Sequence, residues 1–229
     1  MSTDSTNIDT STDSTSTHSG QDAQGRILID LFMTLDGVAQ GPGGKDEDTS
    51  GGFRFSGWQA GHPSSGVGTE VEKGMRGLDA LLLGRRTYDI FASYWPEHTE
   101  GESGDIGTLF NRVPKYVATR NAEIALGWEG SSRVGGDLAA EVAAMRANHR
   151  EVHVIGSIDF VHNLLAEGLF DELNLWVYPI LLGAGKKVFT DSALPSVLSL
   201  LQPPITDDGG VTLLRYGRTD RTPQVGTFD

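Results

Sequence analysis

The stretch "DALLLGRRTYDIF", Asp79 to Phe91, decides how the rest of the chain is read. Residues 79–84 form a short apolar run closed by a glycine, which reads as a strand buried on both faces. Beyond Gly84 the period changes. Tyr88, Phe91, Ala92 and Trp95 fall at i, i+3, i+4 and i+7, the apolar stripe of a helix that Pro96 ends. Two fixed positive charges, Arg85 and Arg86, stand at the turn between the two, in a chain whose net charge is -13.

The same grammar runs outward in both directions. "RILIDLFMTL" (26–35) is apolar and β-rich and reads as a central strand. "KYVAT" (115–119) and "VHVIG" (152–156) read as further buried strands. A short helix is expected over 69–76. Ile106, Leu109, Phe110 and Val113 repeat the helical stripe. Leu138, Val142 and Met145 mark another helix, with Glu141 and Arg146 turned to water, and Ile158, Val161 and Leu165 mark one that stops near Gly168. The last third is different. "DELNLWVY" alternates as a half-buried strand does, and "KVFT", "VLSLLQ" and "VTLLRYG" read as short strands. Strands alternating with helices and followed by a run of strands indicate a mixed α/β sheet with helices on its faces and antiparallel strands near one edge.

Between the first strand and the first helix lies "AQGPGGKDEDTSGGFRFSGWQAGHPSSG" (39–66), dense in Gly, Pro and Ser. A loop this long in a compact domain is usually functional or disordered. Its Phe53, Phe55 and Trp58 suggest that part of it packs down. Residues 1–25 are Ser, Thr and Asp with almost nothing apolar, and read as a disordered tail. The globular domain is expected over 26–217, with a flexible tail over 218–229.

Several chemistries are excluded. The 229 residues include no cysteine, so disulfides, thiolate nucleophiles and cysteine-metal sites are absent. Of the six histidines, His149 and His153 are four apart but straddle a helix-to-strand boundary, nothing else has metal-ligand spacing, and no metal site is expected. "GAGKK" (183–187) lacks the first glycine and the Ser or Thr of a P-loop. "GVGTEVEKG" follows a loop rather than a strand, so it is no dinucleotide fingerprint. The acidic balance argues against nucleic-acid or anionic-membrane partners, because phosphate contacts supply most of such affinity. No apolar run reaches membrane-spanning length and the N-terminus has no signal pattern, so a cytoplasmic location is expected.

What remains is a set of strand ends that look alike. Gly84 permits a tight turn and Thr87 opens a helix, whose exposed N–H groups favour anions; Arg85 and Arg86 add forked donors suited to phosphate. Thr119 and Arg120 repeat the pairing of hydroxyl and guanidinium. Gly156 and Ser157 form a third strand-to-helix turn. Each feature also has an ordinary reading: an arginine paired with Asp89, a plain turn, a helix start. Their co-occurrence after buried strands favours a phosphate-rich ligand. Asp36–Gly37, just past the first strand, is either a simple Asp-Gly turn or a carboxylate placed to orient a heterocycle or relay a proton.

In order and spacing, "ILIDLFMTLDGVAQGPGG", "DALLLGRRTYDIFASYWP", "LFNRVPKYVATR", "VHVIGS", "LLAEGLFDELNLWVYPILLGAGKKVF" and "GVTLLRY" resemble the dihydrofolate reductase-like superfamily. They are most similar to the reductase domain at the C-terminus of bacterial riboflavin-biosynthesis deaminase/reductases and its stand-alone relatives. The resemblance spans about residues 26–217. It implies a three-layer α/β sandwich around a mostly parallel sheet, NADPH as cofactor, and a homodimer formed through the C-terminal strands. It also implies that Gly84, Arg85, Arg86 and Thr87 hold cofactor phosphates, with Thr119 and Arg120 near the adenosine 2'-phosphate. Gly156 and Ser157 would meet the pyrophosphate; the family often carries further glycines there. The loop from Thr34 to Gly37 would face the nicotinamide and substrate, with Asp36 as the catalytic residue that orients substrate or relays a proton; the long loop over 39–66 is read as part of the substrate wall, with Trp58 as its lid residue. The zinc deaminase signature is absent, so the chain reads as a stand-alone reductase of small polar heterocycles or carbonyls; the alternative is a non-catalytic NADPH- or pterin-binding dimer.

Overall fold

The structure, a computed structural model, describes residues 24–64, 66–101 and 104–227. The tail expected over 1–25 lies outside the described residues as far as residue 23. The strands are β1 (Arg26–Thr34), β2 (Ala80–Gly84), β3 (Lys115–Ala118), β4 (Ser131–Val134), β5 (Glu151–Val154), β6 (Glu172–Tyr178), β7 (Leu198–Leu200), β8 (Ile205–Thr206) and β9 (Thr212–Arg218). The helices are α1 (Val67–Gly74), α2 (Arg85–Tyr94), α3 (Gly104–Arg112), α4 (Leu138–Asn148) and α5 (Ile158–Glu167).

All nine strands join one sheet, in the order β4-β3-β2-β5-β1-β6-β9-β7, with β8 also paired to β9. Strands β4 through β6 in that order pair in parallel, and β9 turns antiparallel against β6. The right-handed crossover rule then fixes the layers. From β1 the chain steps to β2, β3 and β4 in one direction across the sheet, and it returns through β5 to β6 in the other. The two sets of helices therefore cover opposite faces. Helices α4 and α5 pack Val142, Met145, Val161 and Leu164 on one face, against Ile27, Ile29, Leu82 and Val152. Helices α2 and α3 pack Tyr88 and Phe110 on the other, against Leu81, Leu83 and Val117. The result is a three-layer, mixed α/β sandwich.

Three local readings change. "KVFT" forms no strand; Lys187 makes a single antiparallel bridge with Val38. Strand β4, whose "SSRV" has one buried residue, and the two-residue β8 carry too little apolar signal to be seen in sequence. Arg146 does not simply face water: its guanidinium donates to Asp171 at 2.8 Å. At the other end, β9 runs to Arg218, and the Thr219 hydroxyl and the Arg221 carbonyl still bond to Val197. The chain is thus tied down past the expected boundary at residue 217.

A charged cluster lies inside the sheet. His153 is fully buried, and its Nδ1 stands 2.7 Å from Asp30, a residue 8% exposed. Asn174 donates to the other Asp30 oxygen at 2.9 Å. Glu151, also joined to Arg26, lies 3.8 Å from the far ring nitrogen of His153, an ion-pair contact rather than a hydrogen bond. Burial alone would push the His153 pKa down; Asp30 and then Glu151 outweigh it and raise it to about 9. Glu151 is held down to about 2, first by His153 and then by Arg26.

These shifts set the pH limits of stability. His153 is raised in the folded state, so its contribution is complete below about 6.5 and is lost as pH rises through about 9. Glu151 is depressed, so its contribution is present above 4.5 and is lost as pH falls toward 2. Asp30→Ala strands a buried imidazolium, and unfolding by denaturant at pH 6 should show a loss of about 3–5 kcal/mol. A loss no larger at pH 6 than at pH 10 would contradict the ion pair.

Candidate cofactor and substrate site

Because β1 through β6 are mutually parallel, their carboxyl ends share one edge of the sheet. Thr34, Gly84, Ala118, Val134 and Val154 end their strands there. The topology also marks a point along that edge. Strand β2 is followed by a helix on one face, and its neighbour β5 by a helix on the other. Such a reversal opens a crevice at the strand ends, where ligands of open α/β sheets bind.

Gly84 and Gly156–Ser157 meet at this point. The Gly84 amide donates to the Gly156 carbonyl at 2.9 Å. A Cβ on Gly84 would fall 2.3 Å from the Ser157 hydroxyl and 2.7 Å from its backbone nitrogen. Only glycine lets the two turns close together. Gly156 has φ 135°, and a Cβ there would lie 2.7 Å from the Thr87 hydroxyl. The N-termini of α2 and α5 are therefore adjacent.

Neither end is capped by a side chain. Helix α4 is the contrast: Asp137 accepts from the amides of Ala139 and Ala140. Uncapped N–H groups at the positive end of a helix dipole need an acceptor. The Thr87 and Ser157 hydroxyls also lack hydrogen bonds among the described residues. This donor set fits an anionic group, and phosphate in particular.

The arginines divide. Arg85 turns back along α2 and donates to Asp89 at 2.6 and 2.8 Å, the ordinary i,i+4 pair. Arg86 reaches across to Asp48 of the long loop. Arg120, beyond the end of β3, is exposed and makes no ion pair among the described residues. Beside it the Thr119 hydroxyl accepts from the Asn121 amide at 3.2 Å. Sequence reading missed Arg133, whose guanidinium donates to the Asn121 carbonyl at 3.1 Å. It stands on β4, which carried no strand signal.

The residues expected to meet substrate are placed differently. Thr34 is completely buried; its hydroxyl donates to Asp36 at 2.6 Å and accepts from the Val38 amide at 3.0 Å. Trp58 is 7% exposed, with its indole N–H on the Gln40 carbonyl and its ring edge-on to Tyr178, 5.2 Å between centroids. Its ring is packed into the core beside Val38 and Phe53, not exposed as the lid reading expects. Asp36 is partly exposed, but its carboxylate accepts from the Leu182 and Gly183 amides at 3.3 and 2.8 Å. Partial burial pushes its pKa up; the bonds from Thr34, Gly183 and Leu182 together outweigh that and hold it below the usual carboxylate range.

An open cleft of about 330 Å³ lies between the long loop and the turn after β6. Gln40, Phe53, Phe55, Arg54, Gly185 and Lys186 line it. Phe53 is buried and Phe55 stands edge-on to it, 40% exposed. Among the described residues no group of three or more His, Cys, Asp or Glu is gathered to hold a metal, and no helix is long and apolar enough to cross a membrane.

Sheet order, layers and site position define a dihydrofolate reductase-like α/β protein. Solved structures share this fold. A "Putative riboflavin biosynthesis protein" from Shewanella sp. PV-4 is 23% identical with a TM-score of 0.65, covering 85% of this chain and 99% of its own. Dihydrofolate reductase from Enterococcus faecalis, complexed with NADP(H) and RAB-propyl, is 14% identical with a TM-score of 0.50, covering 86% of this chain and 98% of its own. In sequence, the "Uncharacterized protein YyaP" of Bacillus subtilis (strain 168) is 26% identical over 171 residues, 73% of this chain and 82% of YyaP. The family model for the RibD C-terminal domain matches residues 26–211, and the chain belongs to that family.

Asp36→Ala would free the Leu182 and Gly183 amides. Hydrogen exchange at those two positions should accelerate, with a stability loss of about 1 kcal/mol. Unchanged exchange at both would contradict the clasp.

Proposed function

We propose that the protein is an NADPH-dependent reductase that delivers hydride to a small polar heterocycle or carbonyl compound. The observation that carries this reading is the pair of adjoining, uncapped helix starts at the crevice between β2 and β5. The nicotinamide supplies the redox chemistry. The protein's own part is binding and orientation. Gly84 and Gly156 bring the α2 and α5 amides together, Arg86, Thr87 and Ser157 surround them, and Arg120 with Thr119 and Arg133 forms a second cationic patch further along the edge, suited to an adenosine 2'-phosphate. Arg85, committed to Asp89, contributes charge more than contact.

Substrate is read into the cleft between Phe55 and Lys186, beyond the buried Thr34. Asp36, held ionised, shapes that cleft by fixing the 182–183 turn; orienting a substrate donor suits it better than donating a proton. Family membership supports a reductase, and the NADP(H) complex of the Enterococcus enzyme supports the cofactor class. A cytoplasmic homodimer joined through the C-terminal strands belongs to the same reading. Exposed Leu200, Leu201 and Ile205 at that edge of the sheet support such an interface.

Titration of NADPH fluorescence, followed by a screen for NADPH oxidation with pteridines, pyrimidines and carbonyl compounds, tests this directly. Binding and turnover are expected; binding without turnover across the screen would favour a sensor or structural module. Arg120→Ala should cut the preference for NADPH over NADH about tenfold, the size of one lost charge-assisted contact. An unchanged preference would remove Arg120 from the 2'-phosphate site.

A further inference from the structure

Asp48 connects the two halves of the site. Its side chain is 9% exposed and lies between Arg86 and Lys186, the latter 3.4 Å away. It also accepts from the Ser50 amide at 3.0 Å and the Ser50 hydroxyl at 2.6 Å. Burial pushes its pKa up, but Ser50 first, then Lys186 and Arg86, hold it below the usual range, so it is an anion. Thus the chain places one of its own carboxylates on Arg86, in the first turn of α2.

We propose that Asp48 is a built-in competitor for the phosphate cradle: it occupies Arg86 and Lys186 in the free protein, and a phosphate-bearing ligand displaces it. The proposal rests on reading the α2–α5 crevice as the cofactor's phosphate site.

Three features make the contact reversible. Arg86 is 45% exposed, so a second anion can reach it without unfolding. Lys186 keeps a second partner, Asp159 at 2.9 Å, when Asp48 leaves. Asp48 also leaves the α2 N-terminus uncapped. A phosphate there gains both the guanidinium and the helix amides, where Asp48 gains only the first.

The consequence is coupling. Asp48 precedes Ser50–Phe55, which line the cleft. Gly51 and Gly52 are exposed, and a Cβ on either would meet nothing within 4 Å, whereas Phe53 is buried and anchors the far end of the segment. Its upstream anchor is firm: buried Gln40 donates to the Asp48 and Ser50 carbonyls and accepts from the Lys186 amide. Release of Asp48 therefore loosens residues 48–52, between Gln40 and the buried Phe53, and reshapes the cleft when cofactor binds. By linkage, closure of that segment weakens phosphate binding by the same factor.

The test uses Asp48→Asn, which keeps the size of the side chain but not its charge, with Asp48→Ser as a second variant if the first folds poorly. Calorimetric titration with inorganic pyrophosphate should show about tenfold tighter binding than wild type. Asp48→Glu should stay near wild type, and adding Arg86→Ala to Asp48→Asn should abolish the gain. In wild type, saturating pyrophosphate should accelerate hydrogen exchange over 48–52 toward the rate in Asp48→Asn. A merely structural ion pair predicts equal or weaker binding in Asp48→Asn, and that result, or exchange unmoved by pyrophosphate, overturns the proposal. NADPH titration separates the two claims. If pyrophosphate behaves as stated but NADPH does not bind, the cofactor reading fails and the clasp stands; if NADPH binds equally to wild type and Asp48→Asn, the clasp fails and the cofactor reading stands.

Discussion

One hydrogen bond joins the parts of this molecule on which its chemistry depends: the Gly84 amide on the Gly156 carbonyl, 2.9 Å across the ends of β2 and β5. The paired register of those strands is short, Ala80 with Val152 and Leu81 with His153. Beyond it they lead into helices on opposite faces. Without that bond, and without the missing side chain at Gly84, the starts of α2 and α5 would stand apart as two ordinary helix ends. Held together, they concentrate unpaired N–H groups at one place on a chain of net charge -13. The acidic surface makes that place conspicuous; the backbone gives it the donors that an anion needs.

The sheet beneath is held by a different device. Most of its interior is aliphatic, but β1, β5 and β6 carry Asp30, His153 and Asn174 into one buried cluster. A buried pair of this kind adds little net stability over well-packed apolar residues, but losing one partner is costly. The same logic recurs at the site's rim on a smaller scale. Asp36 fixes the 182–183 turn and Asp48 ties the long loop to α2, so carboxylates of the chain set the walls around the proposed anion cradle.

The sequence displays the frame of this fold clearly and its decoration poorly. Buried parallel strands are continuous apolar runs, so β1, β2, β3 and β5 stand out, and the stripe from Tyr88 to Trp95 identifies α2. Strand β4 has one buried residue and is lost among polar loops. "KVFT" has strand composition, yet only one residue finds a bridge. At the site, the glycines and hydroxyls of residues 84–87 and 156–157 were legible because a strand ending in glycine before a helix is a local pattern. Partnerships were not. Nothing local distinguishes Arg85, paired with its own helix, from Arg86, paired with Asp48 thirty-eight residues earlier. Thr34 and Trp58 read as polar and aromatic loop residues near a ligand, but tertiary contacts with Val38, Gln40 and Tyr178 draw both inside.

The most direct test of the central claim is a crystal structure of the protein soaked or grown with NADPH. The account predicts the pyrophosphate within hydrogen-bonding distance of the first amides of α2 and α5, beside Thr87 and Ser157, and the adenosine end toward Arg120. NADPH bound with its phosphates away from residues 84–87 and 156–158 would contradict it.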